Sequence, residues 1–309
     1  MERLDGGSAV PEALRGSIVA LGNFDGFHLG HQAVVGRAVE RGRAEGRPVL
    51  VATFDPHPVR FFRPDAPPFR LTSLDQRERL FAAAGADGMV VFRFDAVLAA
   101  TLSSEFIRER LLGLIGAAGV VTGEDFTFGR GRGGNIAVLK GAGAELGFSV
   151  DAVGPVCTPD GVPVSSSRVR EALQAGECAT AGSLLTRPFA IEGTVEHGDK
   201  RGRTIGYPTA NLSLGPYLRP RFGIYAVRGR LPDGRIVDGA ANLGIRPTFE
   251  PPRELLEPYF FAFDGDLYGQ TIEVELISWL RPEAKFDTVE ALIAQMEQDC
   301  REAKRRLAA

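Results

Sequence analysis

Cysteine is scarce in this chain. Of 309 residues only Cys157, Cys178 and Cys300 carry a thiol, and they stand far apart with no CxxC among them. An odd number at such spacing excludes a disulfide framework and a thiolate metal centre. Long apolar runs are missing as well, so no segment is expected to cross a bilayer. The first thirty residues do not combine a basic start with an apolar stretch and a small-residue cleavage site, so no secretory leader is expected. Charge of one sign is also lacking. The 36 Lys and Arg against 39 Asp and Glu give a net charge of −3, and the basic residues are spread along the chain. That argues against a nucleic-acid binder working through a broad positive face. Internal repeats and low-complexity segments are absent. These absences lead to the expectation of a soluble, cytoplasmic protein with neither nucleic acid nor membrane as a partner.

What is present suits two domains of ordinary size. With 44% hydrophobic and 24% charged residues the chain can bury real cores. The first half alternates two kinds of pattern. "SIVALGNF", "RPVLVATF", "ADGMVVFRF" and "AAGVVTGEDFTFG" are short apolar runs ending in turn residues, as buried parallel strands do. Between them, "HQAVVGRAVERGRAEG" reads as an amphipathic helix with Val34, Val35, Ala38 and Val39 inward and Gly46 as its stop. "SSEFIRERLLGLI" and "SSSRVREALQAGE" read as helices capped by serine, Ser103 or Ser104 in the first. Strand–helix–strand order predicts an α/β domain with a parallel sheet and flanking helices.

After Thr186 the period changes to short alternating runs broken by Asp-Gly and Pro-Asp-Gly, which predicts a small antiparallel barrel or sandwich. The chain closes on a helix with Asp287 and Glu290 as a capping arrangement and Val289, Ile293, Met296, Cys300 and Leu307 as its inward stripe. The boundary is placed at "SLLTRPF", giving domains of 1–185 and 186–309.

The chemistry concentrates in "GNFDGFHLGH", residues 22–31. His28 and His31 fall between a buried strand and a helix start, where α/β folds bind ligands. Two histidines are too few for a metal site, since zinc takes three or four ligands. Gly26 and Gly30 allow close backbone approach, and a helix N-terminus offers free N–H groups. Imidazoles there can donate to phosphoryl oxygens as charge builds on them. The stretch therefore reads as a phosphate cradle, against the alternatives of a metal site or two ordinary histidines.

The same ten residues resemble the HxGH motif of the nucleotidyltransferase superfamily. Their GxFDGxHxGH form resembles the bacterial bifunctional riboflavin kinase/FMN adenylyltransferase family, the FAD synthetases. "TFDPHP" (53–58), "GEDFTFGRGRGGN" (123–135) and "SSSRVR" (165–170) follow in the family's order. The resemblance implies a Rossmann-like nucleotidyltransferase domain in which His28, His31 and Arg168 hold the ATP phosphates. It also implies that Ser165 and Ser166 add hydroxyl donors, with Asn23, Asp25 and His57 on the nucleotide side and Asp125 and Phe126 on the flavin side. "GRGRGG" reads as a flexible, phosphate-friendly loop. Asn135 stands where the family often has aspartate, and Ser167 where it has threonine.

In the second half, "EHGDKRGRTIGYPTANL" (196–212) follows a strand and is dense in glycine and basic residues, Gly198 and Arg203 among them. Such a loop can wrap ATP phosphates through its N–H groups. Thr209 and Asn211, two apart in an extended segment, share a face. A hydroxyl and an amide oxygen suit Mg²⁺. A proline-fixed turn with two hydrogen-bonding side chains fits these residues equally. "RTIGYPTANL", "NLGIRPTF" and "FDGDLYG" resemble the family's riboflavin kinase domain, which favours the metal reading and implies a glutamate base at Glu257. Alternation puts Glu257 on a face with Tyr259, Phe261 and Phe263, which would desolvate it, and Glu254 competes for the role. By resemblance alone, Arg281 and Phe286 edge the flavin.

The implied activity is phosphorylation of riboflavin to FMN in the C-terminal domain and adenylylation of FMN to FAD, releasing pyrophosphate, in the N-terminal one. ATP, riboflavin, FMN and FAD are the partners, Mg²⁺ the cofactor, and the chain is expected to be a monomer or weak homo-oligomer. Two alternatives stand beside this reading: a related nucleotidyltransferase acting on another phosphate, and a non-catalytic flavin-binding or regulatory protein.

Overall fold

The computed structural model describes residues 1–197, 206–246 and 253–308. Contacts divide the chain into two compact units, 1–66 with 74–165, and 67–73 with 166–309.

The first unit is built on six parallel strands in the order β1-β4-β3-β2-β5-β6. They span Glu2–Asp5 (β1), Ile18–Leu21 (β2), Val49–Asp55 (β3), Gly88–Arg93 (β4), Gly119–Gly123 (β5) and Ser149–Val153 (β6). The four apolar runs of the sequence became β2 to β5. The edge strands β1 and β6 escaped notice because they carry little apolar signal. The period-2 pattern of a two-sided strand is visible in β2. Ile18 and Ala20 pack with Val34, Val35 and Ala38 of helix α1 (Leu29–Glu45), while Val19 and Leu21 join Phe106, Leu111 and Ile115 on the opposite face. Gly46 ends α1 in the left-handed conformation at φ 63°, as its sequence position suggests.

One cap in this unit differs from the sequence reading, and one residue noted for its identity proves to be a cap. The helix over 103–115 is not capped by a serine: the Leu102 N–H donates to Glu105 Oε2 at 2.8 Å. From Phe106 to Ile115 it winds as a π-helix, which sets Ile107, Leu111 and Ile115 on its buried side. Asn135 caps the helix Ile136–Leu146 by accepting from the N–H groups of Ala137 and Val138 at 3.0 and 3.1 Å. An aspartate would do the same, so the exchange preserves the function that the structure shows at this position.

The second unit is a closed antiparallel barrel in the order β10-β11-β8-β7-β12-β9. Its strands are Phe189–Glu196 (β7), Asn211–Ser213 (β8), Gly223–Arg230 (β9), Ile236–Arg246 (β10), Arg253–Phe260 (β11) and Thr271–Arg281 (β12). Closure leaves no exposed sheet edge. Two short helices, Ser166–Ala175 and Cys178–Leu185, belong to this unit. So does the segment 67–73, which runs beside Tyr217: the Arg70 N–H donates to Pro216 O at 3.2 Å and the Leu218 N–H to Arg70 O at 2.8 Å.

The terminal helix, Val289–Leu307, is capped by Thr288, whose hydroxyl accepts from the Ala291 N–H at 3.1 Å, and not by Asp287. Val289, expected inward, is 52% exposed. The buried residues of the helix are Asp299, Ala303 and Leu307. Ala303 and Leu307 settle on Ala226 and Ala240, whose small side chains let the helix approach the barrel. Asp299 accepts both arms of Arg281 at 2.8 and 2.6 Å, tying the helix to the end of β12. Removing one partner of such a pair strands a charge in poor solvent. Asp299→Ala should lower unfolding free energy by about 2–3 kcal/mol, the partial exposure of Arg281 moderating the loss, as read from the urea midpoint.

Candidate functional site

In the first unit, the turn from β2 into α1 takes up positive φ at three of its residues. Phe24 and Phe27 sit at φ 51° and 45°, and Gly26 at φ 88°. Non-glycine residues accept such angles only when packing compensates. Here the compensation is visible: both rings are buried edge-on against Phe81, with centroids 5.7 and 5.1 Å away. Gln32 Nε2 donates to Phe27 O at 2.9 Å and closes the turn.

That turn delivers His28 and His31. His28 is the N-cap residue of α1, 5% exposed, and its ring stacks on that of His31 with centroids 3.7 Å apart. Phe24 meets the His31 ring edge-on at 5.4 Å. A Cβ on Gly30 would lie 3.2 Å from the His28 ring, so glycine gives that imidazole its seat. The Val164 carbonyl oxygen, one residue before Ser165, lies 3.7 Å from the same point. Asp25 is buried beside this turn. Asn23 presents its backbone oxygen to Thr53 Oγ1 at 2.9 Å and to Arg77 Nη1 at 3.3 Å, which fixes the strand ends relative to one another. Arg77, buried and not singled out from the sequence, also stands 3.8 Å from Asp55.

His57 caps the short helix Pro58–Phe62, its Nδ1 accepting from the Val59 N–H at 3.2 Å. Asp125 is exposed on the turn after β5. Phe126 stacks on Phe128 at 6.0 Å. Rings continue from there through Phe106, Phe54 and Phe94 to Phe61 and Phe62. Phe62 is 64% exposed at the end of this chain of rings. The sequence reading missed it, although "RFF" and "FRF" carried the signal.

Backbone hydrogen bonds tie the ends of the glycine-rich loop together. Phe128 and Gly134 exchange backbone bonds of 3.0 and 2.8 Å, and the Arg130 N–H donates to Thr101 O at 2.8 Å. Gly129, at φ 73°, packs so tightly on Ser103 that a Cβ would lie 2.8 Å from its nitrogen.

In the second unit, Ser166 and Arg168 lie in the first turn of the helix Ser166–Ala175, both half-buried. Two cavities meet at Thr209. One, of about 380 Å³, is lined by Tyr207, Thr209, Asn242, Arg246, Glu257, Tyr259, Arg281, Phe286 and Met296 among others. The other, of about 470 Å³, is lined by Thr209, Asp264, Asp266 and Tyr268 with Phe260 and Phe263. Tyr268 also stacks on His197 at 3.9 Å.

Glu257 and Glu254 are now separable. Glu254 is held by Arg219 at 2.7 Å, and only Glu257 lines the first cavity. Glu257 is opposite Asn242 in the β10–β11 register and pairs with Arg246. Its expected surroundings are corrected in part: Tyr259 shares the cavity, but Phe263 lies beyond the end of β11 and lines the second cavity. Two bulges near the end of β12 bend the strand where Arg281 reaches the cavity, and Arg281 lies 6.0 Å from the Phe286 ring. Thr209 lines both cavities, whereas Asn211 begins β8 and is buried without being part of either lining. Both offer oxygen donors of the kind Mg²⁺ accepts. No cluster of three or more His, Cys, Asp or Glu able to hold a metal occurs among the described residues. Gly198 and Arg203 lie outside the described residues.

Family models match the two parts of the chain separately. A family model described as FAD synthetase matches residues 10–168, and one described as riboflavin kinase matches 185–307. The chain is 40% identical over 284 residues to the bifunctional riboflavin kinase/FMN adenylyltransferase of Escherichia coli K12, covering 92% of this chain and 90% of that one. It is 37% identical to the Bacillus subtilis protein of the same name, covering 94% and 92%. A crystal structure from Streptococcus pneumoniae, named a macrolide-efflux protein, superposes with a TM-score of 0.86 at 31% identity, covering 99% of both chains. Among the described residues no helix is long and apolar enough to cross a membrane. A nucleotidyl-transfer sheet followed by a kinase barrel defines a two-activity, nucleotide-dependent transferase. The chain belongs to the bifunctional riboflavin kinase/FMN adenylyltransferase family.

The seat of His28 gives a direct test. Gly30→Ala should push the imidazole from its place while leaving the fold intact, and, on the expectation that His28 holds the ATP phosphates, should lower the rate of FAD formation from FMN by about tenfold or more.

Proposed function

We propose that the two activities of the family divide between named residues of this chain. The N-terminal domain, residues 1–185, forms FAD: an FMN phosphate oxygen attacks the α-phosphorus of ATP, the bond to the β-phosphate oxygen breaks, and pyrophosphate leaves. His28 and His31 donate to phosphoryl oxygens as negative charge builds on them, and the α1 N-terminus adds its partial positive charge. Arg168, Ser165 and Ser166 serve the triphosphate on the strength of the "SSSRVR" motif. Asn23, Asp25 and His57 serve the nucleotide. Asp125 and Phe126 face the flavin, and the exposed ring of Phe62 offers a stacking surface for the isoalloxazine.

The barrel domain, residues 186–309, forms FMN. The ribityl 5′-hydroxyl oxygen attacks the γ-phosphorus of ATP, ADP leaves, and Glu257 accepts the hydroxyl proton. Riboflavin occupies the cavity of about 380 Å³ with Tyr259, Arg281 and Phe286, and ATP the neighbouring one of about 470 Å³. The observation that carries this reading is Thr209, which lines both cavities while Glu257 lines only one. The acceptor hydroxyl and the γ-phosphate would meet at that shared wall. Thr209 and Asn211 would hold Mg²⁺, which when bound neutralises charge on the ATP oxygens. Gly198 and Arg203 belong to the phosphate-wrapping loop in this reading. The three cysteines are free thiols, which suits a cytoplasmic location.

The test is incubation of the pure protein with riboflavin, ATP and Mg²⁺, followed by separation of the flavins. FMN and FAD should both accumulate, whereas riboflavin bound but unchanged would favour a binding protein. Glu257→Gln should abolish FMN formation while FAD still forms from supplied FMN, and His31→Ala should do the reverse. Loss of both steps from a folded single variant would overturn the division. Phe62→Ala should raise the KM for FMN several-fold with kcat little changed, as expected where a stacking contact of about 1–3 kcal/mol is lost.

A further inference from the structure

The turn that carries the paired imidazoles rests against one helix, Leu74–Ala83. Arg77 and Phe81 stand four residues apart on it, hence on one face. Phe81 receives the rings of Phe24 and Phe27. Arg77 takes hold of the same turn by its backbone. Its Nη1 donates to Asn23 O at 3.3 Å and to Thr53 Oγ1 at 3.2 Å, and Thr53 Oγ1 in turn donates to Asn23 O at 2.9 Å. One helix face therefore grips the turn twice, by apolar contact at residues 24 and 27 and by hydrogen bonds at residue 23.

The place of the polar grip gives it consequence. The Asn23 carbonyl shares a peptide plane with the Phe24 N–H, so orienting that carbonyl orients the plane leading into Phe24, the first residue of the turn at positive φ. From there the Phe27 N–H returns to Phe24 O at 3.2 Å, and His28 follows at the start of α1. Phe24 also meets the His31 ring edge-on. The guanidinium reaches a second turn as well, its Nη2 standing 3.8 Å from Asp55 at the end of β3. Two residues on, His57 caps its short helix. Arg77 thus lies between two turns that carry histidines, with its side chain only 3% exposed. An apolar side chain of similar volume would fill that space with less desolvation penalty, so what the cation adds is direction.

We propose that Arg77 is a positioning residue for adenylyl transfer. It sets the plane of the Asn23–Phe24 peptide, and with it the stance of His28 and His31 toward the ATP phosphates. Phe81 supplies the bulk against which the turn is pressed, and Arg77 supplies the angle. The role rests on the phosphate contacts proposed for the two imidazoles, and the test keeps the two claims apart.

Two readouts are taken on the full chain. The first is NMR of labelled histidine rings at one fixed pH. Of the four histidines, His28 and His31 should change their signals in Arg77→Met, while His197 in the second unit keeps its own. The second is kinetics. Arg77→Met should lower kcat for FAD formation from supplied FMN about thirtyfold, with the KM values for ATP and FMN within about twofold of the parent. The loss falls on donors that act as charge builds in the transition state. FMN formation from riboflavin should be unchanged. Arg77→Lys, which keeps a donor and the charge but loses the fork, should come back to within about threefold of the parent kcat. Histidine signals that stay in place would overturn the positioning role. So would a rise in KM at constant kcat, or FMN and FAD formation falling together. Moved signals with full kcat would instead remove the phosphate role of the imidazoles, on which the inference stands. Should Arg77→Met fail to fold, Arg77→Lys and Thr53→Val decide alone: each should lower kcat about threefold and move the same two histidine signals.

Discussion

The adenylyl-transfer half of this protein hangs on the burial of two phenylalanines against a third. Phe24 and Phe27 are driven into left-handed backbone by a turn that must deliver His28 at the start of a helix, and Phe81 receives both rings. Strain of about 1–3 kcal/mol per such residue would be prohibitive in a solvated loop. It is offset here because each ring removes a large apolar area from water. Once the turn is set, much else follows. The imidazoles stack, Gly30 makes room for one of them, and the N-terminus of α1 faces the place where phosphate is expected.

The barrel solves a different problem. Its strands must close on themselves, carry a cavity at one side and still accept a long helix. Small residues at Ala226 and Ala240 admit the helix, the Arg281–Asp299 pair anchors it, and paired bulges in β12 aim that arginine. The cavity is bounded by charge that is almost entirely matched: Arg281 with Asp299, and Arg246 with both Glu257 and Glu283. Matching of this kind keeps a half-buried polar wall from becoming a liability.

Much of this was legible in the sequence, for identifiable reasons. The buried parallel strands β2 to β5 announced themselves through apolar runs, and the barrel through its turn residues. The edge strands β1 and β6 did not, because a half-solvated strand carries too few apolar residues to stand out. Caps were misread where a nearby residue competes: Glu105 supplants Ser103, and Thr288 supplants Asp287. Both are decided by local backbone angles that composition does not encode. The paired histidines were legible because they sit in one short stretch. Arg246 and Asp299 were not, since their meaning depends on partners 11 to 37 and 18 positions away. The path of phenylalanines from Phe126 to Phe62 is likewise assembled from four separate segments.

The segment 67–73 belongs to a unit whose other residues all come much later in the chain. It comes from the middle of the first half of the chain, yet it lies along Tyr217 and receives the Arg170 side chain at Phe69 O, 2.9 Å away. A ribosome therefore releases part of the kinase half long before the barrel strands exist, and that piece must wait for its neighbours. The two units are interlaced in the order of synthesis, so a gene cut once between residues 165 and 166 would part the second unit from the segment 67–73 that packs with it. Such interlacing gives a physical reason for the two activities to remain on one polypeptide.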